Sequence, residues 1–208
     1  SENQLAEDER MVRDAAAAYG QDKLMPRVTD AVAQESTAPE IFREMGAMGL
    51  LGTTIPEEYG GIGLSNAGYS RVLQQTSRYD SSASLTIGAH SSIGMRGLVL
   101  FGSNEQKDRY MPQLASGELI AAFCLPEPGA GSDAAAIKTS AVRQGDHWVL
   151  NGNKLWITNG GFAGFFTVFA RTGAEGEHGK MTAFIVTRDM AGVSIGPHED
   201  KMGLRASS

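Results

Sequence analysis

The chain has 208 residues, 41% hydrophobic and 20% charged, with a net charge of −6. That length can bury a sizeable core in one large domain or two small ones, and the acidic balance argues against a nucleic-acid or anionic-membrane partner. No apolar run is long enough to cross a bilayer, the acidic first ten residues do not read as a leader, and a lone Cys124 excludes an intrachain disulfide and suits a reducing compartment.

The first half reads as helices. Residues 7–23 place Met11, Val12, Ala15, Ala16 and Tyr19 on one face, with Pro26 beyond. Pro39 suits the first turn of a helix running to about residue 48, with Gly49 at its end. A third helix is predicted over 66–79. A fourth, over 84–100, is apolar on most sides and therefore buried. Ser103 and Gln106 have the spacing of a capping box, opening a fifth helix that ends near Gly117.

The second half changes period. Residues 148–150 and 154–158 flank Asn151-Gly152-Asn153 and predict a hairpin. Residues 165–170 and 181–186 read as strands joined by a charged loop, and 193–195 as a further strand. The expected architecture is α+β: an all-helical domain at 1–119, then an antiparallel, barrel-like β domain at 120–208 that looks unfinished at its C-terminal end.

Between the halves lies a Gly- and Pro-rich stretch, Phe123-Cys124-Leu125-Pro126-Glu127-Pro128-Gly129-Ala130-Gly131-Ser132-Asp133. It is good turn chemistry, and its consecutive amides could also form a concavity for an anion. Trp156 and Thr158, spaced to share a face of a strand, could wall and hydrogen-bond a flat heteroaromatic ring, or could be ordinary core and strand residues. Gly94 and Gly97 sit in an apolar helix, where each costs roughly 1 kcal/mol relative to Ala. Close helix packing explains them by default, and a cavity beside the helix is the alternative. His90, His147, His178 and His198 lack ligand spacing, so no metal site is expected. No paired carboxylates or Ser/His/Asp set nominates a catalytic group.

These segments resemble the flavin-dependent acyl-CoA dehydrogenases. Residues 123–133 are similar to the family's first flavin loop and 151–159 (NGNKLWITN) to its second, with 101–118 and 201–207 (KMGLRAS) as further matches in order. The resemblance implies a helical domain, a β domain and a C-terminal four-helix domain, with FAD between the last two. It implies that Phe123, Leu125 and Pro126 line the flavin, and that Gly131 and Ser132 approach the cofactor and the thioester arm. Trp156 and Ile157 pack by the flavin, and Thr158 donates to its N5. The implied reaction is α,β-dehydrogenation of an acyl-CoA, as in β-oxidation, with electrons leaving to an electron-transferring flavoprotein and a dimeric or tetrameric homo-oligomer as the assembly. Bacterial cytoplasm or mitochondrial matrix is the implied location.

Within the family, 87–97 and 154–170 resemble very-long-chain enzymes, with Gly94 and Gly97 at the acyl pocket base. Residues 9–63 resemble glutaryl-CoA dehydrogenases, but Ser84 stands where those carry an Arg for the distal carboxylate. A medium or long unbranched chain is therefore expected. Pro126 departs from the usual Thr, removing an amide and a hydroxyl donor. The chain also stops before the implied catalytic Glu and four-helix domain, so a partial chain without the base is expected. An acyl-CoA oxidase, a flavin monooxygenase of the same fold, or a non-catalytic acyl-CoA-binding or assembly subunit are the rival readings.

Overall fold

The computed structural model describes residues 5–173 and 180–208. Most of the charged loop expected before the last strand, with His178, lies outside them. Seven α-helices among the described residues form the first part: α1 (Glu7–Tyr19), α2 (Val28–Gln34), α3 (Pro39–Ala47), α4 (Asn66–Ser77), α5 (Ser81–Ala89), α6 (Met95–Phe101) and α7 (Asn104–Ser116).

The helix starts are set by local chemistry. Pro39 opens α3, where its missing amide hydrogen costs nothing. The Ser65 hydroxyl accepts from the Gly68 amide to cap α4, and Asp80 accepts from the amides of Ser82 and Ala83 to cap α5. Ser103 and Gln106 close the expected capping box on α7, which Gly117 ends at φ 78°.

Two helices depart from expectation through π-helical turns. The predicted helix over 7–23 becomes α1, a π turn at Gly20–Leu24 and then the separate α2. The ring of Tyr79 presses on Gly20 so closely that a Cβ there would sit 2.3 Å from it. The predicted helix over 84–100 is interrupted by a second π turn at His90–Gly94, which separates α5 from α6.

Five strands follow: β1 (Ala121–Cys124), β2 (Ser140–Gln144), β3 (His147–Asn151), β4 (Phe165–Arg171) and β5 (Met181–Thr187). They form one mixed sheet, which corrects the expected antiparallel barrel. β5 runs antiparallel along all of β4. On β4's other edge, β1 pairs parallel, with Phe123 opposite Thr167. β2 joins beyond β1 at a single parallel position, Ser140 opposite Arg171.

β3 pairs antiparallel with β2 and is the far edge. Closure requires hydrogen bonding between the edges β3 and β5, and none occurs among the described residues. They meet only through side chains, Trp148 edge-on to Phe184 at 5.7 Å. One pairing position between β2 and β4 is too short a hinge to carry a continuous ladder around.

The predicted hairpin also moves. The β2–β3 turn is at Gly145-Asp146, with Gly145 at φ 61°. Asn151 ends β3, and 152–158 is irregular, as is 193–195. Gly152 is required for another reason, since a Cβ there would lie 2.2 Å from the Thr139 hydroxyl.

The helical and β parts share their core. Met95, Leu98, Met111 and Leu114 pack with Ala121 of β1 and Phe165 of β4. Alternation along β1 sends Ala122 and Cys124 to the opposite face, with Phe166 and Ala163.

Candidate functional site

Two loops emerge beside each other from the sheet. The first follows β1. Its amide of Glu127 donates to the Ala130 carbonyl at 3.0 Å, and the amide of Ala130 returns the bond to the Glu127 carbonyl at 3.0 Å. Pro128 and Gly129 are thus the two central residues of a tight turn. Beyond it Gly131 and Ser132 are exposed. A Cβ at Gly129 or Gly131 would meet nothing within 4 Å, so packing within the chain does not demand these glycines.

The second loop, 152–164, is bound directly to the first. The Leu155 amide donates to the Pro126 carbonyl at 3.1 Å. The Lys154 ammonium donates to the Leu125 carbonyl at 3.1 Å and to Glu127 Oε1 at 2.8 Å. Glu127 also accepts from the amides of Lys138 at 2.6 Å and Thr139 at 3.0 Å, and from the Thr139 hydroxyl at 2.5 Å. Burial alone pushes this carboxyl up, but Lys154, the Thr139 hydroxyl and the two amides hold it down at about 2.

Where the second loop ends, Asn159 is fully buried at φ 70°. Its Nδ2 donates to the carbonyls of Thr86 and Ala121, each at 3.1 Å, and so pins the loop to α5 and β1. Its Oδ1 has no partner among the described residues.

Between these anchors Trp156 is held at φ 56° with 74% of its surface exposed. A tryptophan in the left-handed region, turned out of the core, is a conformation that packing does not explain. It is not on a strand, so the expected shared strand face with Thr158 does not exist. The two are still close in one loop. Among the described residues, neither the Thr158 nor the Ser132 hydroxyl has a hydrogen-bond partner.

A cleft of about 1200 Å³ runs beside this loop. Trp156, Ile157 and Thr158 line it with Cys124, Phe166 and Val168. Its volume exceeds the roughly 300–1,000 Å³ of ordinary small-ligand sites and suits a long dinucleotide. Phe123, Leu125, Pro126, Gly131 and Ser132 lie outside it. Phe123 points to the other face of the sheet, where it packs edge-on to Phe169 at 5.1 Å.

The acyl-pocket candidates separate further. Gly94 is a close-packing glycine: a Cβ would lie 2.8 Å from Ala121 Cβ, and its carbonyl accepts from the Thr167 hydroxyl at 2.9 Å. Gly97 has only Thr167 Cγ2 near, at 3.9 Å. Ser84 is buried between α4 and α5. Its hydroxyl lies 2.6 Å from that of Ser77 and 3.2 Å from those of Thr76 and the Leu73 carbonyl.

Lys154, Glu127 and Asn159 were not anticipated from the sequence. The signal for the first two was a pair of opposite charges inside segments otherwise made of turn and apolar residues.

Comparison with known proteins identifies the family. The model of the acyl-CoA dehydrogenase N-terminal domain matches residues 6–118, and that of the middle domain matches 122–208. The chain is 49% identical over 183 residues to the human mitochondrial very long-chain specific acyl-CoA dehydrogenase, covering 84% of this chain and 27% of that protein. A Bacillus anthracis acyl-CoA dehydrogenase complexed with FAD superposes at TM-score 0.90 with 40% identity, covering 99% of this chain and 35% of that one. A structure of the electron transferring flavoprotein of Acidaminococcus fermentans gives TM-score 0.94 with 37% identity, covering 98% and 54%. The chain therefore spans between about a quarter and a half of these relatives. With both domain models matched in order across nearly all of its residues, the chain belongs to the acyl-CoA dehydrogenase family.

Proposed function

We propose that this chain supplies the flavin-binding and thioester-facing part of an FAD-dependent acyl-CoA dehydrogenase. The observation that carries this is the pair of mutually bonded loops presenting an exposed indole, Trp156, beside the unpartnered hydroxyl of Thr158. These residues fit a flavin: a flat apolar face, a free donor and a cleft of dinucleotide size. Trp156, Ile157 and Thr158, which line the cleft, are the residues that would hold it, with Leu125, Pro126, Gly131 and Ser132 on the adjoining loop outside the cleft and Phe123 on the other face of the sheet. FAD, when bound, supplies the acceptor for the hydride leaving Cβ of the acyl group.

The chain's own contribution is to bind and orient. Trp156 offers a surface against which a ring can be fixed, and Thr158 and Ser132 offer hydroxyl donors. Ser132, exposed at the tip of the first loop, would on this reading meet the thioester arm. Proton abstraction is not assigned to any carboxylate here, and Glu127 is excluded because four donors occupy its oxygens and hold it at about 2, too weak a base for a Cα proton.

For the substrate, the half-open site at Gly97 and the identity to a very long-chain enzyme favour a medium or long unbranched chain. Gly94 adds no room. The neutral, already bonded Ser84 cannot pair with a distal carboxylate, which disfavours glutaryl-CoA. Transfer of electrons to an electron-transferring flavoprotein, assembly as a homo-oligomer and a bacterial or mitochondrial matrix location belong to the same reading.

A second reading is a non-catalytic acyl-CoA-binding or assembly subunit. Flavin bleaching by an acyl-CoA chain-length series, on purified full-length protein of measured mass, separates the two. Bleaching by medium or long chains supports the dehydrogenase, and preference for glutaryl-CoA defeats the substrate assignment. Thioester binding without flavin supports the second reading. Turnover with oxygen exceeding that with an artificial acceptor indicates an oxidase.

A further inference from the structure

We infer that Lys154 and Glu127 are positioning residues for the flavin site, a buried latch that sets the separation of the two loops. The inference rests on the proposed flavin reading and names what keeps that site in shape.

The latch gathers three stretches of chain at one point. Glu127 comes from the first loop, Lys154 from the second, and the amides of Lys138 and Thr139 from the start of the segment leading into β2. Both charged side chains are nearly closed to solvent, at 11% exposure for Lys154 and 7% for Glu127. An ammonium so enclosed cannot exchange its partners for water without moving the loop.

Its second bond goes to the Leu125 carbonyl, and the next residue in sequence, Leu155, bonds the Pro126 carbonyl. The anchor points on the first loop are therefore the carbonyls of Leu125 and Pro126, two residues that the family resemblance assigns to the flavin. On the second loop, Trp156 and Thr158 follow Lys154 within the irregular stretch 152–158, where no strand ladder holds them. Upstream of Asn159, the Leu155 rung and the latch are the bonds that tie this stretch to the first loop, while the Gly160 amide donates to the Ile157 carbonyl within it at 2.9 Å. Sites of this kind fail when their supports are about 1 Å too loose.

The test uses the full-length protein carrying Lys154→Met, Lys154→Arg, Glu127→Gln, and Arg27→Met as control. Arg27 forms a two-bond ion pair with Glu44 of α3, and neither residue bonds to 125–133 or 154–158 among the described residues. Lys154→Met is expected to weaken FAD binding about tenfold and to speed amide exchange in 125–133 and 154–158 by about tenfold, with Lys154→Arg recovering part of both. Glu127→Gln is expected to act in the same direction. Arg27→Met is expected to lower thermal stability while leaving FAD affinity and loop exchange unchanged.

If Lys154→Met loses stability like the control but keeps wild-type FAD affinity and loop exchange, the pair is only structural and the inference is overturned. Failure of both Lys154→Met and Glu127→Gln to fold overturns it too, by assigning the pair to folding. Absence of FAD binding in the wild type defeats the flavin reading instead. Loop exchange then still shows whether the latch holds the loops.

Discussion

Nδ1 of His90 accepts the amide hydrogen of Ala121 at 2.9 Å. An amide can only donate, so the ring proton is on Nε2, which donates to the Leu114 carbonyl at 2.9 Å. One neutral imidazole thus joins the π turn, the last turn of α7 and the first residue of β1, and it does so fully buried.

Burial pushes this imidazole down to about 4, against a carbonyl bond that favours the charged form. Between pH 6.5 and about 4 the unfolded chain binds the proton and the folded chain does not. Stability is thus intact above pH 6.5 and falls as pH drops toward 4, by about 3 kcal/mol at roughly 1.4 kcal/mol per pKa unit. Urea unfolding at pH 7 and at pH 4.5 should show a lower midpoint at the acid value. His90→Gln should flatten that difference at a general cost in stability.

Glu127 extends the acid sensitivity to lower pH. Its carboxyl is held at about 2, below the ordinary 4.5, so its contribution is complete above pH 4.5 and is lost as pH falls toward 2. Glu127→Gln should cost on the order of 3 kcal/mol at pH 7, because it leaves Lys154 buried without its counter-charge. The difference between variant and wild-type unfolding free energies should shrink steadily below pH 4.5.

Gly94 and Gly97 should respond oppositely to alanine. At Gly94 the added methyl meets Ala121 Cβ at 2.8 Å and the Ala89 carbonyl at 2.9 Å, an overpacking expected to cost about 1–3 kcal/mol. At Gly97 it meets only Thr167 Cγ2 at 3.9 Å, so Gly97→Ala should gain roughly 0.5–1 kcal/mol from helix propensity. Thermal unfolding of the two variants checks the sign of each.

Much of the helical part was legible because its signals are local. Ser103 and Gln106 reach each other across a single turn, so their spacing alone predicted the start of α7. Strand direction has no such signal: Phe123 and Thr167 are 44 positions apart, and nothing in either segment states whether the pairing is parallel. The turn of the hairpin was misplaced because Gly145-Asp146 and Asn151-Gly152 are both competent, and the pairing of Val142 with Val149 decides between them. At the site, the glycines and the indole drew attention to the two loops that the structure bonds together. The residues that lock those loops did not, since a lysine or glutamate beside a Pro-Gly turn reads as solvated surface until long-range contacts bury it. The face of Trp156 was unreadable for the same reason, because its loop has no period.

Pro126 should respond to the donor it lacks. Its carbonyl already serves the Leu155 amide, while proline offers neither an amide hydrogen nor a hydroxyl. Pro126→Thr is expected to tighten FAD binding by about three- to tenfold, the effect of one recovered hydrogen bond. Titration of flavin-free protein with FAD measures it, and unchanged affinity would count against the placement of this loop at the cofactor.

The π turn at His90–Gly94 has a geometric consequence for the helix beyond it. One α-helical residue sweeps roughly 100° about the axis, and the extra residue in the wide turn re-phases everything after it. Met95 and Leu98 reach the shared core only in that shifted phase. Deleting one residue such as Ser92 would remove the wide turn and keep the phase, whereas straightening this turn into a regular helix of the same length would rotate α6 by about a quarter turn. The local geometry would improve while the Met95 and Leu98 side chains swung out of the sheet interface, so an irregularity in one helix is the condition for the joint between the helical and β parts.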